Sequence, residues 1–355
     1  MIEGLLDQFG DGAVLAAAGA VTGLLFGAMA QHSRFCLRAA TVEVAEGRFG
    51  ARLSIWLIAF CAAVLAVQGA IAAGYLDVTS TRQLAATGSM SGAIIGGLMF
   101  GCGMILARGC ASRLLVLSAT GNLRALITGL VLTLVAQASL RGALSPLRET
   151  LGGLWLVQGG AERNILWHLG LTSAVVALFA AAGLVIAFWL AKRDHVQMTR
   201  ALAAAGVGAA VGLGWVLTYW IAASSFEVVP ISSVTFTGPS ADTLMGLVNT
   251  ADLPLSFGMG LVPGVFVGAC GMALFTREAT IERFGKDTPM ERYLLGAVLM
   301  GFGSMLAGGC AVGAGMSGGS IFALTAWVAL FSMWIGAMAT HLGLPQISLH
   351  RSTAV

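Results

Sequence analysis

The sequence predicts an all-α integral membrane protein of about nine transmembrane helices plus short discontinuous or re-entrant helices, arranged as two inverted pseudo-repeat halves. Three observations predict it. Of the 355 residues, 57% are hydrophobic and only 10% are charged, whereas a soluble domain carries roughly 25% charged residues. A chain so poor in charge cannot cover itself with polar surface, and its solvent is lipid. Apolar runs close to the roughly 20 residues of a bilayer span also recur along it. Finally, "GCGMILARGCAS" at Gly101–Ser112 returns as "GFGSMLAGGCAV" at Gly301–Val312.

The first run, about 12–31, follows Glu3, Asp7 and Asp11 with no Lys or Arg between them. It lacks the basic flank of a cleaved signal peptide and reads as a retained span. Runs near 53–74, 91–107 and 121–138 complete a first half over about 12–140. Those near 167–191 and 200–222 belong to linking helices over about 160–222. Runs near 258–275, 293–307 and 318–340 form a second half over about 258–340, so that 1–355 is one transmembrane transport domain. The stretch 223–257 holds Glu227, Asp242 and Asp252 without Lys or Arg, and 192–200 holds Lys192, Arg193 and Arg200. The bias of basic residues toward the cytoplasm puts the former outside, and the latter inside with Arg34, Arg38, Arg48 and Arg52. The net charge of +3 gives no ground for a nucleic-acid partner. None of the nine runs contains Asp or Glu, which argues against a carboxylate proton relay.

At an offset of 200, Gly96, Gly101, Gly103, Leu106, Ala107, Gly109, Cys110 and Ala111 match Gly296, Gly301, Gly303, Leu306, Ala307, Gly309, Cys310 and Ala311. A weaker echo at an offset of 240 sets "FCLRAATVE", from Phe35, against "FTREATIER", from Phe275, and aligns Cys36 with Thr276. Duplication of this kind is typical of membrane transport folds, whose broken helices meet near the midplane. Counting crossings allows parallel or inverted halves; the short runs broken by "RGC" and "GGC" favour inversion. The spaced glycines predict close helix packing. Gly109 and Gly309 sit where the apolar run stops, and helix ends at membrane depth offer N–H groups to an anion.

Six cysteines without paired spacing do not form a disulfide framework, and no CxxC or Cys/His spacing suggests a metal site. Cys61, Cys102 and Cys270 read as small buried hydrophobes. Cys36, Cys110 and Cys310 stand at motif centres, where a thiol that keeps its proton can donate weakly to a polarizable sulfur anion. The notable residues around them are Arg34, Arg38, Arg108 and Arg113, which could concentrate an anion at a funnel mouth or anchor the chain at the interface. No cofactor and no enzymatic activity are expected.

"SRFCLRAA" (Ser33 to Ala40), "ARGCASR" (Ala107 to Arg113) and "AGGCAVGAGMSG" (Ala307 to Gly318) resemble the three cysteine motifs of the YeeE/YedE family of sulfur transport proteins. The resemblance covers essentially the whole chain. It implies a multi-pass protein of the bacterial inner membrane that takes up thiosulfate or a closely related sulfur anion. The passage it implies is a constriction between two funnels, lined by Cys36, Cys110 and Cys310. Some relatives carry a fused sulfur carrier of the TusA type; here such a carrier is expected to be a separate cytoplasmic protein. The alternative is a membrane sensor, or a thiol-dependent protein that transfers sulfane sulfur without bulk transport.

Overall fold

The computed structural model describes residues 2–249, 255–282 and 290–352, so Asp252 and Arg283 lie outside the described residues. In chain order the helices are α1 (Ile2–Phe9), α2 (Asp11–Ser33), α3 (Leu37–Ala45), α4 (Ala51–Ala72), α5 (Arg82–Ala85), α6 (Met90–Leu106), α7 (Ala111–Ala119) and α8 (Leu123–Arg141). They continue as α9 (Ser145–Gly153), α10 (Ile165–Leu169), α11 (Ser173–Arg193), α12 (Met198–Ser224), α13 (Thr237–Asn249), α14 (Phe257–Phe275), α15 (Met290–Leu306) and α16 (Leu324–Ser352). A π-helical turn, Gly313–Gly318, precedes α16. The only β-structure assigned as strands among the described residues is the two-residue pair β1 (Gly88–Ser89) and β2 (Leu156–Val157).

The chain is therefore an all-α, multi-pass membrane protein. Eight helices among the described residues are long and apolar enough to cross a bilayer. The remaining run of the nine predicted, 293–307, is α15, a helix of 17 residues. Its length of about 26 Å falls short of the roughly 30 Å hydrocarbon core.

Glycine decides how the spans pack. On α6, Gly96 lies so close to α15 that a Cβ there would sit 2.5 Å from the Gly303 carbonyl oxygen. Reciprocally, a Cβ on Gly296 would sit 2.7 Å from the Gly103 oxygen. The early glycines of α6 thus meet the late residues of α15, and the two helices run antiparallel. Gly101 packs on α16 and Gly301 on α8 in the same manner, so the repeated glycines serve helix contact as the spacing predicts.

The weaker echo behaves differently. Gly19, Gly23 and Gly27 of α2 meet successively later residues of α14, while Gly260, Gly264 and Gly268 return the contact to Ala16, Ala20 and Leu24. These two helices run parallel. Inversion describes the cysteine-bearing pair α6 and α15, whereas α2 and α14 end on the same side. Charge and parity counting could not separate these cases, because the two echoes have different directions within one molecule.

The acidic stretch 223–257, predicted as an outward loop, is only partly one. Residues 231–236 belong to no helix or strand yet pass through the core, with Val234 and Phe236 buried. An irregular backbone there needs partners from neighbouring elements. Thr218 donates its hydroxyl to the Ser232 carbonyl at 2.6 Å, Ser233 donates to Val211 at 2.6 Å, and Ser317 donates to Val234 at 2.6 Å. Phe236 then packs against Phe26 of α2, with ring centroids 5.1 Å apart and the planes tilted by 52°.

Candidate functional site

Many helices among the described residues end on a left-handed residue, and four of these ends carry the repeated motifs. Arg34, Arg108, Arg277 and Gly308 all have left-handed backbone, with φ of 56°, 55°, 57° and 80°. In each case the next residue returns its N–H to a carbonyl five positions back: Phe35 to Ala30, Gly109 to Met104, Glu278 to Ala273 and Gly309 to Ser304, at 2.8–3.2 Å. This is the closing bond of a Schellman cap. A left-handed conformation is costly for any residue but glycine, so its use by three arginines marks stops set by tertiary structure.

Two residues past the stop, the chain carries Cys36, Cys110 and Cys310, and at the Arg277 stop it carries Ala279. The structure therefore aligns Cys36 with Ala279, not with Thr276 as the weaker sequence echo suggests. The left-handed residue is also Arg108 or Gly308, one position ahead of the Gly109 and Gly309 expected to mark the helix ends. A Cβ on Gly109 would have ordinary van der Waals room, with Leu114 the nearest side chain at 3.5 Å, but on Gly309 it would lie 2.8 Å from the Ala314 amide nitrogen. Gly309→Ala is accordingly expected to lower thermal stability in detergent by about 1–3 kcal/mol, with Gly109→Ala near the parent.

Cys36 and Cys110 are the N-caps of α3 and α7, a position where an oxygen side chain is normally preferred. Neither thiol makes a side-chain cap hydrogen bond. Cys310 accepts from the Gly313 N–H at 3.4 Å. A thiol caps a helix poorly, so capping does not explain three sulfurs at three restarts.

The fold brings two of the three cysteines together. Cys36 lies near Cys110, and the Ser112 hydroxyl lies 3.2 Å from Cys110 Sγ. Cys310 stands apart, with the Thr235 hydroxyl 4.0 Å from its sulfur. Thr235 belongs to the buried irregular segment, whose next residue, Phe236, packs on α2. Both Cys110 and Cys310 are 1% exposed, and neither faces lipid.

Cys36 opens into a cavity of about 490 Å³ shared by Arg34, Arg38, Arg52, Arg108 and Arg113. The five guanidiniums face two carboxylates, Glu278 and Glu282. Arg34 is paired with Glu278 at 2.8 Å; among the described residues the other four arginines form no ion pair. The buried Nε of Arg38 has no hydrogen-bond partner. The hydrogen bond from Arg34 holds the Glu278 carboxyl below the usual carboxylate range, so it is ionised at neutral pH. Nothing in the sequence alone pointed to Gln31, Arg52, Glu278 or Glu282 as lining residues.

A second cavity of about 270 Å³ lies at the other end of α6, around Arg82, Arg148, Arg163, Ser89, Gly308 and Gly313. Arg163 is 5% exposed and is held by the Ala86 carbonyl and the Thr325 hydroxyl, each at 2.5 Å. The region around it reads as a polar connection, and no sequence signal marks these three arginines. Gly308 and Gly313 put this cavity beside the Cys310 break, so the two cavities lie toward opposite ends of the antiparallel α6–α15 pair.

Cys61, Cys102 and Cys270 are unpaired and half-buried. Cys61 lies against Gly183, and Cys102 against the Gly336 carbonyl at 3.6 Å. Replacing all three by alanine is expected to change thermal stability in detergent by about 1 kcal/mol or less per site.

The family model described as sulphur transport matches residues 32–339. Among curated relatives, the thiosulfate transporter TsuA of Escherichia coli (strain K12) is 27% identical over 344 residues, covering 90% of this chain and 92% of the relative. The thiosulfate transporter TsuA of Spirochaeta thermophila (strain ATCC 700085 / DSM 6578 / Z-1203) is 25% identical over 332 residues, covering 90% and 96%.

Proposed function

The chain belongs to the sulphur transport family, and from that premise we propose that it takes up thiosulfate, or a closely related sulfur anion, across a bacterial inner membrane. The route runs from the cavity of Arg82, Arg148 and Arg163, past Cys310, to Cys110 and Cys36, and out through the cavity of five arginines. A separate TusA-like carrier on the cytoplasmic side takes the sulfane sulfur on its thiol as a persulfide, and sulfite leaves.

The observation that carries this reading is the pair of cavities rich in arginine at opposite ends of one helix pair, with a cysteine break beside each. Arginines left without carboxylates cost desolvation energy, which an arriving anion recovers. They also raise the local anion concentration. A bare dianion cannot enter hydrocarbon, because burying an unpaired ion is prohibitive. The restarted helices α3 and α7 supply N–H groups and the positive end of their dipoles, and the thiols supply weak donors between them. Weak contacts in series suit passage, since a single tight site would hold the ion.

With no carboxylate in the predicted spans, uptake follows the thiosulfate gradient and is drawn inward by consumption of the product. Radiolabelled thiosulfate uptake into sealed proteoliposomes tests this. Accumulation up to the external concentration is expected, and liposomes no more permeable than protein-free ones would contradict the reading.

A further inference from the structure

Glu278 is an odd residue to find beside an anion path. It follows the left-handed Arg277 at the end of α14, and residues just beyond it are fastened to the turn between α7 and α8. There the Thr280 N–H donates to the Thr120 carbonyl at 3.2 Å and the Glu282 N–H to the Gly121 carbonyl at 3.1 Å. This fastening carries a carboxylate from the second half of the chain into a cavity built by the first. Its Oε1 accepts from Arg34 Nη2 at 2.8 Å and its Oε2 from Gln31 Nε2 at 3.0 Å. Gln31 is buried, and its Oε1 accepts from Arg113 Nη1 at 3.5 Å. One carboxylate thus engages the donors of α2 directly and, through Gln31, orients a guanidinium of α7. All four side chains line the cavity that holds Cys36. The other carboxylate there, Glu282, is held by the Asn122 side-chain amide.

Resting on the transport reading above, we infer that Glu278 is a tethered counter-ion that fills the anion site of Arg34 and Gln31 until a divalent anion displaces it, and that it thereby selects dianions over monoanions. A monoanion that took its place would exchange one negative charge for one. It would do so against a competitor held at high effective concentration by its own backbone. A dianion brings a second charge to guanidiniums that have no carboxylate of their own, and so gains what the monoanion cannot. The tether also governs release: the carboxylate returns to Arg34 and shortens the dwell of the departing ion. That return keeps an arginine-rich cavity from becoming a trap.

The test compares parent, E278Q and E282Q in proteoliposomes, measuring initial rates of radiolabelled thiosulfate uptake against added sodium thiocyanate, with gluconate balancing ionic strength. In E278Q, thiocyanate is expected to inhibit at about tenfold lower concentration than in the parent, while KM and kcat for thiosulfate both fall about threefold. E282Q removes the same charge from the same cavity without releasing Arg34 or Gln31, and its ratio of thiocyanate to thiosulfate affinity is expected to match the parent's. An E278Q protein with the parent's thiocyanate sensitivity and KM would overturn the inference, and so would an equal shift in E282Q. If E278Q does not yield folded protein, E278D, with its shorter side chain, is expected to shift thiocyanate sensitivity in the same direction by a smaller factor, and no shift would overturn the inference. No uptake by the parent would instead count against the transport reading itself.

Discussion

Gly264→Leu is expected to leave little or no monodisperse protein after detergent extraction. Gly264 lies where α14 crosses α2, and a Cβ there would sit 2.5 Å from the Ala20 carbonyl oxygen and 3.0 Å from the Ala20 Cα. Both are backbone atoms, so no rotamer change relieves the overlap. Gly260 and Gly268 on either side approach α2 just as closely, and the helices can separate only by losing the whole contact. Overpacking a core commonly costs about 1–3 kcal/mol; against backbone, with a side chain the size of leucine, more than about 3 kcal/mol is expected. The damage reaches the site as well, because α2 ends at Arg34 and α14 leads into Glu278. Gel-filtration yield and the thermal midpoint in detergent measure it, with Leu178→Ala on the exposed face of α11 expected to behave as the parent.

Arg113→Ala is expected to fold and to lose most thiosulfate uptake. The Arg113 side chain lines the cavity of Cys36, and its guanidinium reaches Gln31 at 3.5 Å. Among the described residues it forms no ion pair, so removing it breaks no such pair and leaves no carboxylate stranded. What is lost is a positive charge in the cavity that holds Cys36. Truncating one member of a desolvated charge pair costs about 2–5 kcal/mol, which at about 1.4 kcal/mol per factor of ten is roughly thirtyfold or more in apparent affinity. Arg113→Lys restores the charge without the planar fork and is expected to recover only part of the loss. Initial uptake rates over a thiosulfate series separate these cases.

The spans were legible because hydropathy alone places a helix in lipid: Ala51–Ala72 and Ser173–Arg193 fall close to their predicted runs. The glycines at 96, 103, 296 and 303 were legible as contact residues because only a side chain of one hydrogen permits backbone approach. Cys36, Cys110 and Cys310 could be singled out because each follows a helix stop written as "RFC", "RGC" or "GGC".

What escaped was whatever depends on which side a helix ends. The parallel course of α2 and α14 is set by glycine stripes that read the same in either direction. Glu278 was hidden because the weaker echo put it opposite Arg38, whereas the shared left-handed stop puts Arg277 opposite Arg34. Arg163 lies in a polar connection, and only the fold shows that it lines one cavity with Gly308. The adjacency of Cys36 and Cys110 follows from two helix restarts meeting, and no spacing along the chain encodes it.

The central claim is that the sulfur anion moves past the cysteines at the broken helices. Radiolabelled thiosulfate uptake by proteoliposomes holding matched amounts of parent, Cys36→Ala, Cys110→Ala or Cys310→Ala protein tests it most directly. The account predicts uptake lowered about tenfold or more by each substitution, with unchanged gel-filtration profiles. Parent-like uptake by both Cys110→Ala and Cys310→Ala would contradict it.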